Sequence, residues 1–294
     1  MISLKAERIF KRIFLVSSGS ALTYGILRDD DLDEVPSHEK IKFTELGERC
    51  SFTKRHKGIL ESGKPIVFDN VLTKEELSMA RQAAMEKSKC MVDSQQDDNV
   101  RTDMVTWVGP NNAESDHRLH LPIKLLRGVA VEIEKIYTQD DGGKSSKHTA
   151  LSLKIPKMCM LSHYENSQFY KKHCDNLYKP FYVFEKNQND SLWESFFCKA
   201  LKLVNKIHLG WIRLIAPSTN LWWRREFTAI LYLNASSFNH GGELRCYYGE
   251  GENSQYEDIQ PIGGRLVIFN SRLLPHEVLP ATSSRFAISL WICK

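Results

Sequence analysis

From Met158 onward the chain advances in short apolar runs that stop at glycine, proline or asparagine, and this punctuation restricts the fold more than any other feature. The runs are MCMLSHY (Met158–Tyr164), FTAILYLN (Phe227–Asn234), GELRCYY (Gly242–Tyr248), GRLVIFN (Gly264–Asn270) and RFAISLWI (Arg285–Ile292). Each has the length of a strand rather than of a helix, and turn residues separate most of them. Such a series, placed after helical segments, predicts an α+β protein: a β-sandwich or barrel with helices packed outside.

The helical segments come first. GKPIVFDNVLTKEELSMARQAAMEKS (Gly63–Ser88) reads as strand, turn and helix, with Thr73 and Glu76 spaced as a reciprocal N-terminal cap. Ile123, Leu126, Ala130, Ile133 and Tyr137 recur at helical spacing, which predicts a second helix over Ile123–Tyr137. DDGGKSSKH (Asp140–His148) is a loop by composition. A third helix, Ser191–His208, is predicted within a 177–223 insertion between two strands; Trp193, Phe197, Ala200, Val204 and Ile207 share one face.

Residues 1–62 are read as an N-terminal extension and 63–294 as one domain. Lys5, Arg8, Lys11 and Arg12 precede an apolar stretch, Ile13–Leu27, that Ser-Ser-Gly-Ser interrupts. That stretch is too short and polar for a stable membrane span. Residues 1–28 are either a targeting segment, organellar or secretory, or a loose helix, and Asp29–Glu34 reads as a solvated linker. The net charge of +4 is spread along the chain, so no nucleic-acid footprint is expected. Seven cysteines, odd in number and never in CxxC, argue against a disulfide framework and for a reducing compartment, with cytoplasm or nucleus as the expectation.

Two histidine–carboxylate pairs stand out, His173-Cys174-Asp175 and His163-Tyr164-Glu165. On a strand, residues i and i+2 point to the same side, so either pair could supply two metal ligands. Fe(II) in non-haem oxygenases takes two imidazoles and one carboxylate on one face of an octahedron. The second imidazole must come from afar, and His276 follows the GRLVIFN run. Arg285 comes nine residues later and is a fixed cation, suited to a carboxylate by two parallel hydrogen bonds. Taken alone, His276 reads first as a structural turn histidine and Arg285 as a surface cation; the ordered set of four points to the metal site.

HCDN (His173–Asn176), REFTAILYLN (Arg225–Asn234), GGELR (Gly241–Arg245), DIQPIGGRLVIF (Asp258–Phe269), PHEVLPA (Pro275–Ala281), RFAISLW (Arg285–Trp291) and RTDMVTWV (Arg101–Val108) occur in one order. In that order the chain resembles the Fe(II)- and 2-oxoglutarate-dependent dioxygenases, and more closely the prolyl hydroxylases that act on hypoxia-inducible factor. The resemblance implies a double-stranded β-helix core, jelly-roll or cupin-like, with N-terminal helices outside and a helical insertion. It implies Fe(II) on His173, Asp175 and His276, which removes His163 from the ligand set. It places Arg285 and Tyr232 on the remote carboxylate of 2-oxoglutarate, with Tyr164 and Ser289 in the same pocket and Leu244, Phe269 and Val278 as apolar walls. Arg225, Tyr170 and Trp291 fall on the substrate side; core packing is an equal reading for Tyr170, Leu244, Phe269, Val278 and Trp291. The implied reaction hydroxylates a peptidyl proline, by prolyl 4-hydroxylation, and consumes 2-oxoglutarate and O2 with release of succinate and CO2; ascorbate is an accessory reductant. The partner implied is a proline-containing protein or peptide, with the oligomeric state open. Alternatives are the same chemistry on another protein or a small molecule, or a catalytically silent binding module. The insertion is the main departure from the family pattern, and it is expected either to cover the peptide groove or to pack outside the barrel.

Overall fold

The computed structural model describes residues 32–34, 44–94, 99–109, 116–138, 153–176, 225–235, 240–249 and 255–294. The early elements are β1 (Leu32–Glu34), α1 (Thr44–Arg49), α2 (Lys54–Glu61), β2 (Ile66–Phe68), α3 (Lys74–Ser88), β3 (Val92–Asp93), β4 (Met104–Val108) and α4 (His120–Thr138). The later strands are β5 (Lys154–Pro156), β6 (Cys159–Tyr164), β7 (Gln168–His173), β8 (Arg225–Tyr232) and β9 (Leu244–Tyr248). They are followed by β10 (Gln255–Ile259), β11 (Leu266–Asn270), β12 (His276–Ala281) and β13 (Arg285–Cys293). The predicted 191–208 helix lies outside the described residues.

Two antiparallel sheets face each other. One runs β11-β8-β13-β6 at its centre, extended by β2 on one side and by β4 and β3 on the other, with β5 and β1 beside β13. The second is β10-β9-β12-β7. From β6 to β13 the eight consecutive strands divide four to each sheet, which is the double-stranded β-helix. Alternation along the larger sheet sends one set of side chains to the helices and the other to the barrel interior. On β13, Phe286, Ile288, Leu290 and Ile292 join the helix-side core, and Ala287 joins the interior cluster with Tyr164, Tyr232, Leu244, Phe269 and Val278.

The helix side is built as its sequence dictates. Thr73 Oγ1 accepts from the Glu76 backbone N–H at 3.3 Å, and Glu76 Oε2 accepts from the Thr73 N–H at 2.8 Å, closing the predicted cap of α3. Glu76 also receives Arg49 through two guanidinium nitrogens at 2.7 and 2.9 Å, which ties α1 to the start of α3. Helix α4 begins three residues before the expected start, because Pro122 falls in its first turn, where a missing N–H removes no helical bond. Residues 44–61, read from sequence within the extension, bury Leu46, Cys50 and Leu60 in the same core as Ile123 and Phe227. Among the described residues no helix is long and apolar enough to cross a membrane.

Strand β10 has no counterpart among the expected runs. It is an edge strand paired only with β9, and its first four residues are exposed, so burial never selected an apolar pattern there. His276 is likewise not in a turn: it opens β12, opposite His173 of β7 and Cys246 of β9.

Candidate metal and anion site

The register of the smaller sheet brings the two distant histidines together. His173 and His276 are cross-strand partners with ring centroids 4.3 Å apart. Each imidazole is aimed by a main-chain carbonyl two residues earlier: His173 Nδ1 lies 2.8 Å from Lys171 O, and His276 Nδ1 lies 3.0 Å from Leu274 O. A carbonyl only accepts, so Nδ1 carries the proton in both rings and Nε2 keeps its lone pair. Both Nε2 atoms face Asp175, at 3.7 Å from Oδ1 for His173 and 3.8 Å from Oδ2 for His276. The three donor atoms lie within 4.8 Å of one another.

Asp175 does not lie on the strand, contrary to the i, i+2 argument. Strand β7 ends at His173, and the chain then bends so that Asp175 crosses toward the opposite sheet. There Thr228 Oγ1 of β8 donates to Asp175 Oδ2 at 2.7 Å, and Thr228 Oγ1 lies 2.8 Å from Ser271 Oγ. The next residue fixes the bend: the Asn176 N–H donates to Ser271 O at 3.0 Å, and its side-chain amide donates to Arg225 O. Burial acts to raise the Asp175 carboxyl. The neighbouring His173 and His276 rings and the Arg225 guanidinium outweigh it and hold the group far below the usual carboxylate range. His276 is pushed down to about 4, first by burial and then by His173, against the opposing pull of Asp175 and the Leu274 carbonyl. The site is therefore a carboxylate with neutral imidazole nitrogens turned toward it, a donor set matched to a divalent transition metal.

Behind the triad lies a buried cation. Arg285 is 2% exposed, and its Nε donates to Gly242 O at 2.7 Å. Its guanidinium sits 4.8 Å from the Tyr164 ring centroid and 5.0 Å from that of Tyr232. No carboxylate among the described residues pairs with it. The Tyr232 hydroxyl is buried without a hydrogen bond of ordinary geometry, although burial, which raises this phenol, is countered in part by the nearby Arg285. A buried guanidinium and an orphaned hydroxyl side by side are expensive in an empty protein and are satisfied together by an anionic ligand.

One pocket joins these parts. Its lining includes His173, Asp175, His276, Arg285, Tyr164, Ser289, Leu244, Val278, Arg225, Tyr170 and Trp291; Tyr232 is not part of the lining and packs against Arg285. Arg285, Ala287, Ser289 and Trp291 share the inner face of β13, as alternation requires. Phe269 packs edge-on against His276 at 4.7 Å. At the mouth, the Tyr170 ring stacks on His173 at 3.6 Å, and the Arg225 guanidinium covers Trp291 at 4.1 Å. The rival pair is separated by the same alternation. His163 points to the helix side and stacks on Phe286 at 4.3 Å, while Tyr164 faces the pocket.

Sequence reasoning passed over four residues here. Thr228 and Ile230 share the inner face of β8 with Tyr232, and the period of two from Tyr232 could have found them. Arg101 also lines the pocket, bound to Asp103 through Nε and through Nη2, the latter at 2.8 Å, with its guanidinium 4.7 Å from the Tyr170 ring. Ser271 carries no local signal, because it sits in a turn.

Comparison with known proteins agrees with this geometry. Residues 159–293 match the family model described as the 2OG-Fe(II) oxygenase superfamily. Prolyl hydroxylase EGLN3 of Homo sapiens is 41% identical over 70 residues, which is 23% of this chain and only 28% of that relative's length. A Pseudomonas putida prolyl-4-hydroxylase superposes with a TM-score of 0.51 at 19% identity, covering 82% of this chain and 98% of that one. A Trichoplax adhaerens prolyl hydroxylase, solved with a hypoxia inducible factor peptide fragment, gives 0.50 at 18% identity over 88% and 93% of the two chains. At these identities the two structures establish the shared fold.

Proposed function

We propose, from the match of residues 159–293 to the 2OG-Fe(II) oxygenase superfamily model, that the chain hydroxylates a proline in a protein or peptide, by prolyl 4-hydroxylation. The observation that carries the oxygenase chemistry is the meeting of His173, Asp175 and His276 in one pocket with Arg285, which has no carboxylate partner among the described residues. The prolyl target is supported by the local identity to prolyl hydroxylase EGLN3.

In this reading His173 and His276 would hold Fe(II) through Nε2, and Asp175 would hold it through a carboxylate oxygen. Arg285 would take the far carboxylate of 2-oxoglutarate, with the Tyr232 hydroxyl as a second donor to the same anion. Arg285 stays charged at any working pH, and its Gly242 contact leaves its two terminal nitrogens for a two-point grip. Tyr164 and Ser289 line the same pocket, where their hydroxyls would orient the body of the co-substrate. Leu244 and Val278 keep that wall apolar and exclude water. The chemistry that Fe(II), 2-oxoglutarate and O2 supply when bound is oxygen insertion into a C–H bond, with succinate and CO2 as co-products. On the substrate side Tyr170, Arg225 and Trp291 would form the rim over which the peptide lies. Among the described residues the buried Trp291 indole N–H has no partner, which leaves it as a donor for a substrate carbonyl.

Two measurements test this. Anaerobic Fe(II) with 2-oxoglutarate should give the weak visible charge-transfer band of the chelate, absent in His173→Ala. Proline-containing peptides should then gain one oxygen atom by mass spectrometry, in step with succinate release. No band in the wild-type protein would remove the enzymatic reading; a band with turnover only on non-prolyl substrates would remove the prolyl one.

A further inference from the structure

We propose that Thr228 and Ser271 are positioning residues that confine Asp175 to metal ligation through a single oxygen. This rests on the Fe(II) reading of the triad and deepens it. The direction of each hydrogen bond follows from the chemistry of the groups. An ionised carboxylate only accepts, so Thr228 Oγ1 must spend its one proton on Asp175 Oδ2, at 2.7 Å. The Thr228–Ser271 contact of 2.8 Å must then be a donation from Ser271 to Thr228. Both side chains are buried, at 1% and 0% exposure, so water does not substitute for either hydroxyl.

The holder is paired within a sheet, whereas the ligand lies past the end of its strand. Asp175 sits beyond the last paired residue of β7, at the end of the smaller sheet. Thr228 lies inside β8, paired with Phe269 on one side and Trp291 on the other. Ser271 is fixed by its own N–H to Glu226 O at 2.9 Å and receives Asn176 on its carbonyl. The carboxylate is thus oriented by the larger sheet, while both imidazoles belong to the smaller one.

Orientation matters because of the number of positions it leaves. An octahedral ion with three single-atom protein donors keeps three positions open. A carboxylate that swung to bind through both oxygens would leave two, too few for a two-point co-substrate together with O2. With Oδ2 engaged by Thr228, Oδ1 is the oxygen left for the ion.

The test uses the full metal-free chain and Co(II) ion alone, whose visible absorption reports coordination number. Thr228→Val, which keeps shape and removes the hydroxyl, is expected to weaken Co(II) binding about 10- to 100-fold and to change the band intensity. Thr228→Ser should restore both, and Ser271→Ala should fall between. Wild-type affinity and spectrum in Thr228→Val, or no rescue by serine, would overturn the proposal. If the valine variant does not fold, Ser271→Ala decides: an unchanged spectrum and affinity overturn it, and a shift in both supports it. A wild-type chain that takes up no Co(II), or takes it up equally after His173→Ala, would instead fail the iron reading and this inference with it.

Discussion

At the scale of single residues, the site separates into side chains whose chemistry is visible in the sequence as an ordered set and side chains whose role exists only through a folded neighbour. His173, Asp175, His276 and Arg285 belong to the first kind, since few tasks in a β-rich chain need an imidazole, a carboxylate, a second imidazole and a fixed cation in that order. Thr228 belongs to the second: in FTAILYLN it is one more β-branched strand former, and only the bend after His173 gives its hydroxyl a carboxylate to hold. Arg285 carries the sharpest prediction. In the proposed role, Arg285→Gln would remove a charge-assisted grip worth about 1.5–3 kcal/mol, so the KM for 2-oxoglutarate should rise about 10- to 100-fold. Co(II) binding should be unaffected. Arg285→Lys should fall between, because an ammonium is a point charge rather than a planar fork. Titration of 2-oxoglutarate against each variant checks both.

Among the elements, turn chemistry and caps were legible and edge strands were not. The α3 cap was read from two residues at fixed spacing, and Thr73→Ala should lower stability by about 1 kcal/mol, seen as a lower urea midpoint with turnover intact. β10 escaped notice as an apolar run because its first four residues are exposed to water and need no buried face. Gly242 connects an element to the site. Its φ is +71°, and a Cβ there would lie 2.6 Å from Arg285 Cδ, while its carbonyl receives Arg285 Nε. Gly242→Ala should therefore strain the turn before β9 and displace the guanidinium together. We expect weaker 2-oxoglutarate binding at near-unchanged Co(II) affinity, the reverse of the pattern for Thr228→Val.

For the whole molecule, the barrel with helices outside followed from strand punctuation, but the inclusion of residues 44–61 in the core did not. Helices α1 and α2 are short and mostly polar, and only Leu46, Cys50 and Leu60 reveal their docking. The buried histidines set the acid response of the metal-free protein. His276 falls to about 4 from an ordinary value of 6.5, and burial pulls His163 down as well. Between the two values for His276 the unfolded chain binds more protons than the folded one, so stability must fall as pH drops from about 6.5 toward 4. Thermal melts of the metal-free chain at pH 7.5 and 5 should show a lower midpoint at pH 5, with His163→Phe reducing the difference.

The division of labour between the sheets has one more outcome. Both rings come from β7 and β12, while the carboxylate between them is gripped from β8, so an ion seated there would act as a rivet through the two layers. Amide protons of β7 and β12 should then exchange with deuterated solvent more slowly once Co(II) is added, and those of α3, on the far side of the larger sheet, should exchange as before.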